Sequence, residues 1–249
     1  MQSKKAKGWK GETHPAFGIV SQSFRPLQNR EAFFFFDPIV GKDTAVYHTA
    51  GALGQGERIW ILAKLPDQIR VIGDDITDKY LLLSNSHDGH GAVQIKFTPI
   101  RVVCNNTLTL ALSRGPTLRV AHTRDMHERL KQADRLLGII HRRYDGLAET
   151  FQTMTRIQMG NGRLEGYFGR VFPDPEDPED EKALRKATRA RLCAEHFFLN
   201  GAGNDMPGVQ GTLWAAYNGV TEYVDHRQMK TSKDGRLNSI WFGEGYLAI

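Results

Sequence analysis

Between Thr44 and Thr98 the sequence sets down a run of short strand-like stretches with no helix-length segment between them. They read Thr44 to Leu53, Glu57 to Leu65, Gln68 to Ile72, Asp78 to Asn85 and Gly91 to Thr98, separated by Gly-rich or Pro-Asp turns of roughly two to six residues. Parallel neighbours need a crossover of about a dozen residues or more, so strands joined this closely pair antiparallel, as a meander. The expected fold class is therefore α+β: an antiparallel β-meander with packed helices, followed by a helical C-terminal half. The loop from Gly51 to Gly56 contains GxxGxG, but the strand, Gly-rich turn and helix order of a nucleotide-binding loop is missing, so it reads as a mobile hairpin.

The last of these stretches leads into GAVQIKFTPIRVVCNNTLTLALS, Gly91 to Ser113. Val93, Ile95 and Phe97 alternate with Gln94, Lys96 and Thr98 as a strand. After Val103 the spacing of Cys104, Leu108, Ala111 and Leu112 predicts a short buried helix capped by Asn105 or Asn106. Lys96 and Arg101 fall on the other side, beside a helix start, where a phosphate would be favoured. Solvated basic residues on a core strand and helix are the plainer reading.

The segments FRPLQNREAF, YLLLSNSHDG, IRVVCNNTLTLAL and AAYNGVTEYVDHR, in that order, closely resemble the phage/plasmid-like protein family. The resemblance covers Phe17 to Leu247. It implies an origin on bacteriophages, plasmids or other mobile elements, and it implies no assigned activity. It also implies a further front segment bearing a Trp-His-Gly-type motif, where this sequence reads MQSKKAKGWKGETHPAF.

At 249 residues and 40% hydrophobic content the chain can bury a substantial core. No run approaches the apolar length of a membrane span, and the start lacks the apolar core of a secretory signal, so a cytoplasmic location without membrane contact is expected. Cys104 and Cys193 have no CxxC partner and read as buried free thiols. No cofactor is indicated. Thirty-three Lys and Arg against 28 Asp and Glu give a net charge of +5, which permits nucleic-acid binding without establishing it.

Three regions are expected: a flexible basic arm over 1–16, an α+β antiparallel-sheet region over 17–122, and a mainly helical region over 123–249 packed on it as one compact unit. Asn29 caps a helix carrying Phe33 to Phe36, which its surplus of aromatics would bury. A long helix starts at Thr123, and Met126, Leu130, Ala133, Leu137, Ile140, Tyr144, Leu147, Phe151 and Met154 form a heptad seam along it. That seam needs a partner, in the chain itself or in a second subunit of a homo-oligomer. A short helix from Leu164 to Phe172 and the acidic linker Pro173 to Glu181 lead to a helix ending near Leu199. Its Leu184, Cys193 and Phe197 face inward, and Arg185, Lys186, Arg189 and Arg191 face outward.

Two polar groupings could carry chemistry. The tip Ser84 to His90 holds His87, Asp88 and His90, which could contact a ligand or nucleic acid, or ligate a metal with help from elsewhere. On the helix Gly211 to Gln228, Leu213, Tyr217, Val220 and Val224 form the buried stripe, while Asn218, Glu222 and Asp225 share a face and His226 lies four beyond Glu222. These could serve a metal-assisted hydrolase, or form a structural network with the loop Asn204 to Gly208.

The leading expectation is a mobile-element protein that binds or anneals single-stranded DNA in recombination or replication. Its fold is similar at class level to the ring-forming single-strand annealing proteins. Arg58, Lys64, Lys96 and Arg101 would track phosphates, Trp60 and Tyr80 would stack bases as exposed aromatics, and Asn105 and His87 would complete the surface. The alternatives are a hydrolase using Glu222, Asp225 and His226, and a host-defence inhibitor acting by protein binding.

Overall fold

A computed structural model describes residues 16–32, 45–101, 106–107, 118–126 and 133–227. The expected basic arm, the four phenylalanines after Ala32, Cys104 and Asn105 lie outside these residues. So do most of the helix expected after Val103 and the front of the heptad helix.

The fold is α+β with an antiparallel sheet. Its strands are β1 (Val46–Leu53), β2 (Arg58–Ile72), β3 (Asp75–Ser86), β4 (Val93–Phe97), β5 (Ile100–Arg101), β6 (Asn106–Thr107) and β7 (Leu118–Val120). They lie in the order β1-β2-β3-β4-β7, with β5 pairing β3 and β6. The GxxGxG loop is the β1–β2 hairpin. Gly54 and Gly56 sit at φ of +67° and +100°, a conformation that side chains with a Cβ seldom adopt.

Pro66 and Asp67 do not form the expected turn, because β2 runs through them. β1 stops pairing at the Val46–Lys64 register, so Pro66 lies past the last β1 hydrogen bond and its missing N–H breaks no ladder on that side. Asn106 corrects a second expectation: it pairs with Arg101 as strand β6 and does not cap a helix.

The helices are α1 (Ala133–Met154), α2 (Asn161–Val171), α3 (Glu181–Asn200) and α4 (Leu213–Glu222), and α4 continues into a π-helical turn, Tyr223–Arg227. The chain forms two compact units. One is built from stretches within Met1–Lys64, Leu81–Lys96 and Pro116–Gly138, and the other from stretches within Leu65–Tyr80, Phe97–Gly115 and Ile139–Ile249.

In the second unit Tyr144, Leu147 and Phe151 of the heptad seam are buried. The Tyr144 hydroxyl donates to the Tyr80 carbonyl at 2.8 Å and accepts from the Tyr80 amide at 3.2 Å, and its ring meets Phe97 edge-on at 5.5 Å. Phe151 packs 4.5 Å from Trp214 and 6.1 Å from Tyr217. Leu184 departs from its inward expectation and is exposed, since the first turns of α3 bury none of their side chains.

α3 and α4 meet at backbone distance. A Cβ built on Gly219 would stand 2.6 Å from the Ala194 carbonyl oxygen and 2.9 Å from the Phe198 nitrogen. Neither atom belongs to a flexible side chain, so Gly219→Ala must push the helices apart. A loss of about 1 to 3 kcal/mol is expected in denaturant unfolding, with unchanged far-ultraviolet circular dichroism below the transition.

Candidate anion-binding site

Arg101 is wholly buried in the second unit, against its expected role as a phosphate contact on an open face. Its Nε donates to Asp75 Oδ1 at 2.8 Å, and its Nη2 donates to Asp75 Oδ2 at 2.6 Å and to the Gly203 carbonyl at 2.9 Å. Its Nη1 donates to Asn204 Oδ1 at 3.0 Å. Trp214 Nε1 donates to Asp75 Oδ2 at 2.7 Å, and the guanidinium lies 5.5 Å from the Trp214 ring centre. Asn204 in turn donates to the carbonyls of Phe197 at 2.8 Å and Ala215 at 3.1 Å. The guanidinium is spent inside the fold, where it ties β3, β5, the loop before α4, and α4 together.

Trp60 and Tyr80 also depart from expectation, being 8% and 5% exposed. Nearly every residue of β3, and of β2 from Ile59 to Ala63, is buried, so both faces are covered and neither ring is available for stacking. Lys64 is half-buried on β2.

Three other expected residues, Arg58, Lys96 and His87, fall together in the first unit. β4 pairs with β7 so that Gln94 faces Arg119. Lys96 stands two residues along β4 from Gln94 and therefore shares its face, diagonal to Arg119. Arg58, at the start of β2, reaches to 3.9 Å from where a Cβ on Gly91 would stand. Lys96 is 5% exposed. Burial, then the charges of Arg119 and Arg58, lower its pKa to about 8.

The hairpin tip adjoins this cluster. Asp88 Oδ1 accepts from the Ser86 hydroxyl at 2.5 Å and from the His90 amide at 2.8 Å. Burial works to raise the Asp88 pKa, but those two hydrogen bonds and the charges of Arg58 and His90 outweigh it and hold the carboxyl below the usual range. His87 Nε2 donates to Asn29 Oδ1 at 2.6 Å. His122 Nδ1 donates to the Arg25 carbonyl at 3.0 Å and its ring stacks on Phe24 at 4.7 Å. Burial, and for His87 also the neighbouring His122, lowers the pKa of both imidazoles. Arg119 escaped the sequence reading because it gains its neighbours through strand pairing, and His122 because Arg25 and Phe24 reach it only in the fold. Arg119 could have been found by placing Leu118 to Val120 beside β4, since exposed Arg119 alternates with buried Val120.

The metal-assisted alternative fares differently. Among the described residues no group of three or more His, Cys, Asp or Glu side chains could hold a metal ion. Asp225 is buried and His226 exposed on the π-helical turn, and Asn218 donates to the Trp214 carbonyl at 2.8 Å. The turn breaks the helical spacing that would have stacked these side chains on one face.

A family model described as a domain of unknown function, DUF932, matches residues 16–241. The chain belongs to the DUF932 family. No curated protein and no solved structure matches it. Among the described residues of this DUF932 chain no helix is long and apolar enough to cross a membrane. The site that its geometry offers is the Arg58, Lys96 and Arg119 cluster beside the Ser86 to His90 tip.

Lys96 makes this site testable by pH. Its folded pKa lies below its unfolded value, so the unfolded chain binds more protons between about pH 8 and 10.5. This residue's contribution to stability is therefore least below pH 8 and rises through that window. Lys96→Met is expected to be more stable than the parent at pH 7, by on the order of 1 to 3 kcal/mol. The difference should shrink by pH 10 in paired thermal melts.

Proposed function

We propose that this DUF932 chain is a nucleic-acid-binding protein of mobile elements, of phage or plasmid origin, that binds single-stranded DNA in the cytoplasm during recombination or replication. The observation that carries the reading is a buried lysine, Lys96, with the charges of two arginines, Arg119 and Arg58, close by. Holding Lys96 there lowers its affinity for a proton, and a bound phosphate would offset that repulsion. The motifs quoted above, which resemble the phage/plasmid-like family, support the mobile-element origin. A flexible single strand can bring a phosphate down to a buried ammonium, whereas the phosphates of a duplex sit on a stiff cylinder.

With Trp60 and Tyr80 buried, phosphate contacts dominate, and binding tolerates sequence changes and depends on salt. Three contacts give a slope of log affinity against log salt of about −2, so a fourfold rise in salt weakens binding by about 20-fold. Fluorescence anisotropy with a labelled strand of about 30 nucleotides and the matching duplex, at two salt concentrations, tests this. Preference for the strand with that slope is the expected result, and mass measurement of the complex reports whether the protein acts as a homo-oligomer. No binding at low salt would overturn the reading.

A further inference from the structure

The cationic cluster is graded in depth. Arg119 is exposed, Arg58 is half-buried and Lys96 is 5% exposed. A phosphate that touches all three must penetrate the sheet face rather than lie along it. An internal phosphodiester carries one charge and two bulky sugars, one on each side, and these limit how closely it approaches a buried ammonium. A phosphate at a chain end carries close to two charges at neutral pH, has three terminal oxygens, and projects beyond the last sugar.

Gln94 shares the face of Lys96 and stands opposite Arg119. Its Oε1 is buried with no hydrogen-bond partner among the described residues. A half-turn of that amide presents its N–H donors at the same place. Asp88 adjoins the cluster, where it feels the charge of Arg58 and accepts from the Ser86 hydroxyl and the His90 amide.

Resting on the single-strand reading above, we propose that the Arg58, Lys96 and Arg119 cluster receives a terminal phosphomonoester, the phosphate at the end of a strand, in preference to an internal phosphodiester. Lys96 and Arg58 take the terminal oxygens, and Arg119 contacts the same phosphate from the rim.

The test uses internally labelled single strands of one sequence bearing a 5′-phosphate, a 3′-phosphate or hydroxyls at both ends. Binding to the full chain is measured by anisotropy at low salt. One phosphorylated end should bind about tenfold tighter than the hydroxyl-ended strand, in line with one added charge on the bound phosphate. Arg119→Gln, an exposed change, should bring that ratio towards one. Millimolar inorganic phosphate should also lower the preference, weakening the phosphorylated strands more than the hydroxyl-ended one. Equal affinity for all three strands would overturn the proposal and leave single-strand binding standing, whereas no binding of any strand would overturn both. If inorganic phosphate displaced every strand alike, the cluster would be a site for free phosphate, and the proposal would fail.

Discussion

Arg101→Met is expected to lower stability by about 3 to 5 kcal/mol, with a fall of about 10 °C in Tm. The size follows from what remains behind. Asp75 is wholly buried, and without the guanidinium its carboxylate keeps, among the described residues, the Trp214 Nε1 donor at 2.7 Å. The carbonyl of Gly203 and the side-chain oxygen of Asn204 lose their donors at the same time. Adding Asp75→Leu removes the stranded charge and should return part of the loss, because a buried pair replaced by apolar groups is tolerated better than a broken one. Recovery stays incomplete, since Trp214 Nε1 and the loop acceptors remain unsatisfied. Thermal melts of the parent, the single variant and the double variant give all three values; a single variant within 1 kcal/mol of the parent (roughly the cost of one ordinary hydrogen bond) would mean that the network does not hold this unit together.

Phe151→Ala should cost a similar amount, about 3 to 5 kcal/mol. The ring is 0% exposed and stacks into Trp214 and Tyr217, so its removal leaves a hole under α4 that two large aromatics cannot refill without leaving their own contacts. Thr150, next along α1, is exposed, and its hydroxyl donates only to the Gly146 carbonyl of its own helix. Thr150→Ala should therefore stay within about 0.5 kcal/mol of the parent. Urea unfolding of both variants checks the contrast, and equal losses would show that the seam is not what packs α1.

The pattern of what the sequence revealed follows from the range of the forces involved. Alternation and turn residues act locally, so the meander, the β1–β2 hairpin and the break at Gly160 could be read directly. The helix expected after Val103 rested on the spacing of a few apolar residues. At its cap position the observed backbone pairs Asn106 with Arg101, because a neighbouring strand offers hydrogen bonds that local propensity does not count.

Burial of charge is less legible still. Arg101 looks like a surface cation until Asp75 and Asn204, 26 and 103 residues away in sequence, close around it. Tyr80 and Trp60 look like stacking platforms until both faces of their strands are covered. Arg119 had no motif at all, and its place beside Lys96 arises only from the β4–β7 register. Of the residues expected to meet nucleic acid, Arg58, Lys96 and His87 come together in one unit, and Arg101 serves the interior of the other.

The most direct test is the affinity of Lys96→Met for a single strand of about 30 nucleotides across a salt series, measured beside its thermal stability. Removing a charge crowded by Arg58 and Arg119 should leave the variant at least as stable as the parent at pH 7, so a change in binding cannot be blamed on unfolding. Binding about tenfold weaker at low salt, with a slope shallower by about 0.7, is the expected result. A stable variant with parental affinity and slope would contradict a phosphate site at Lys96.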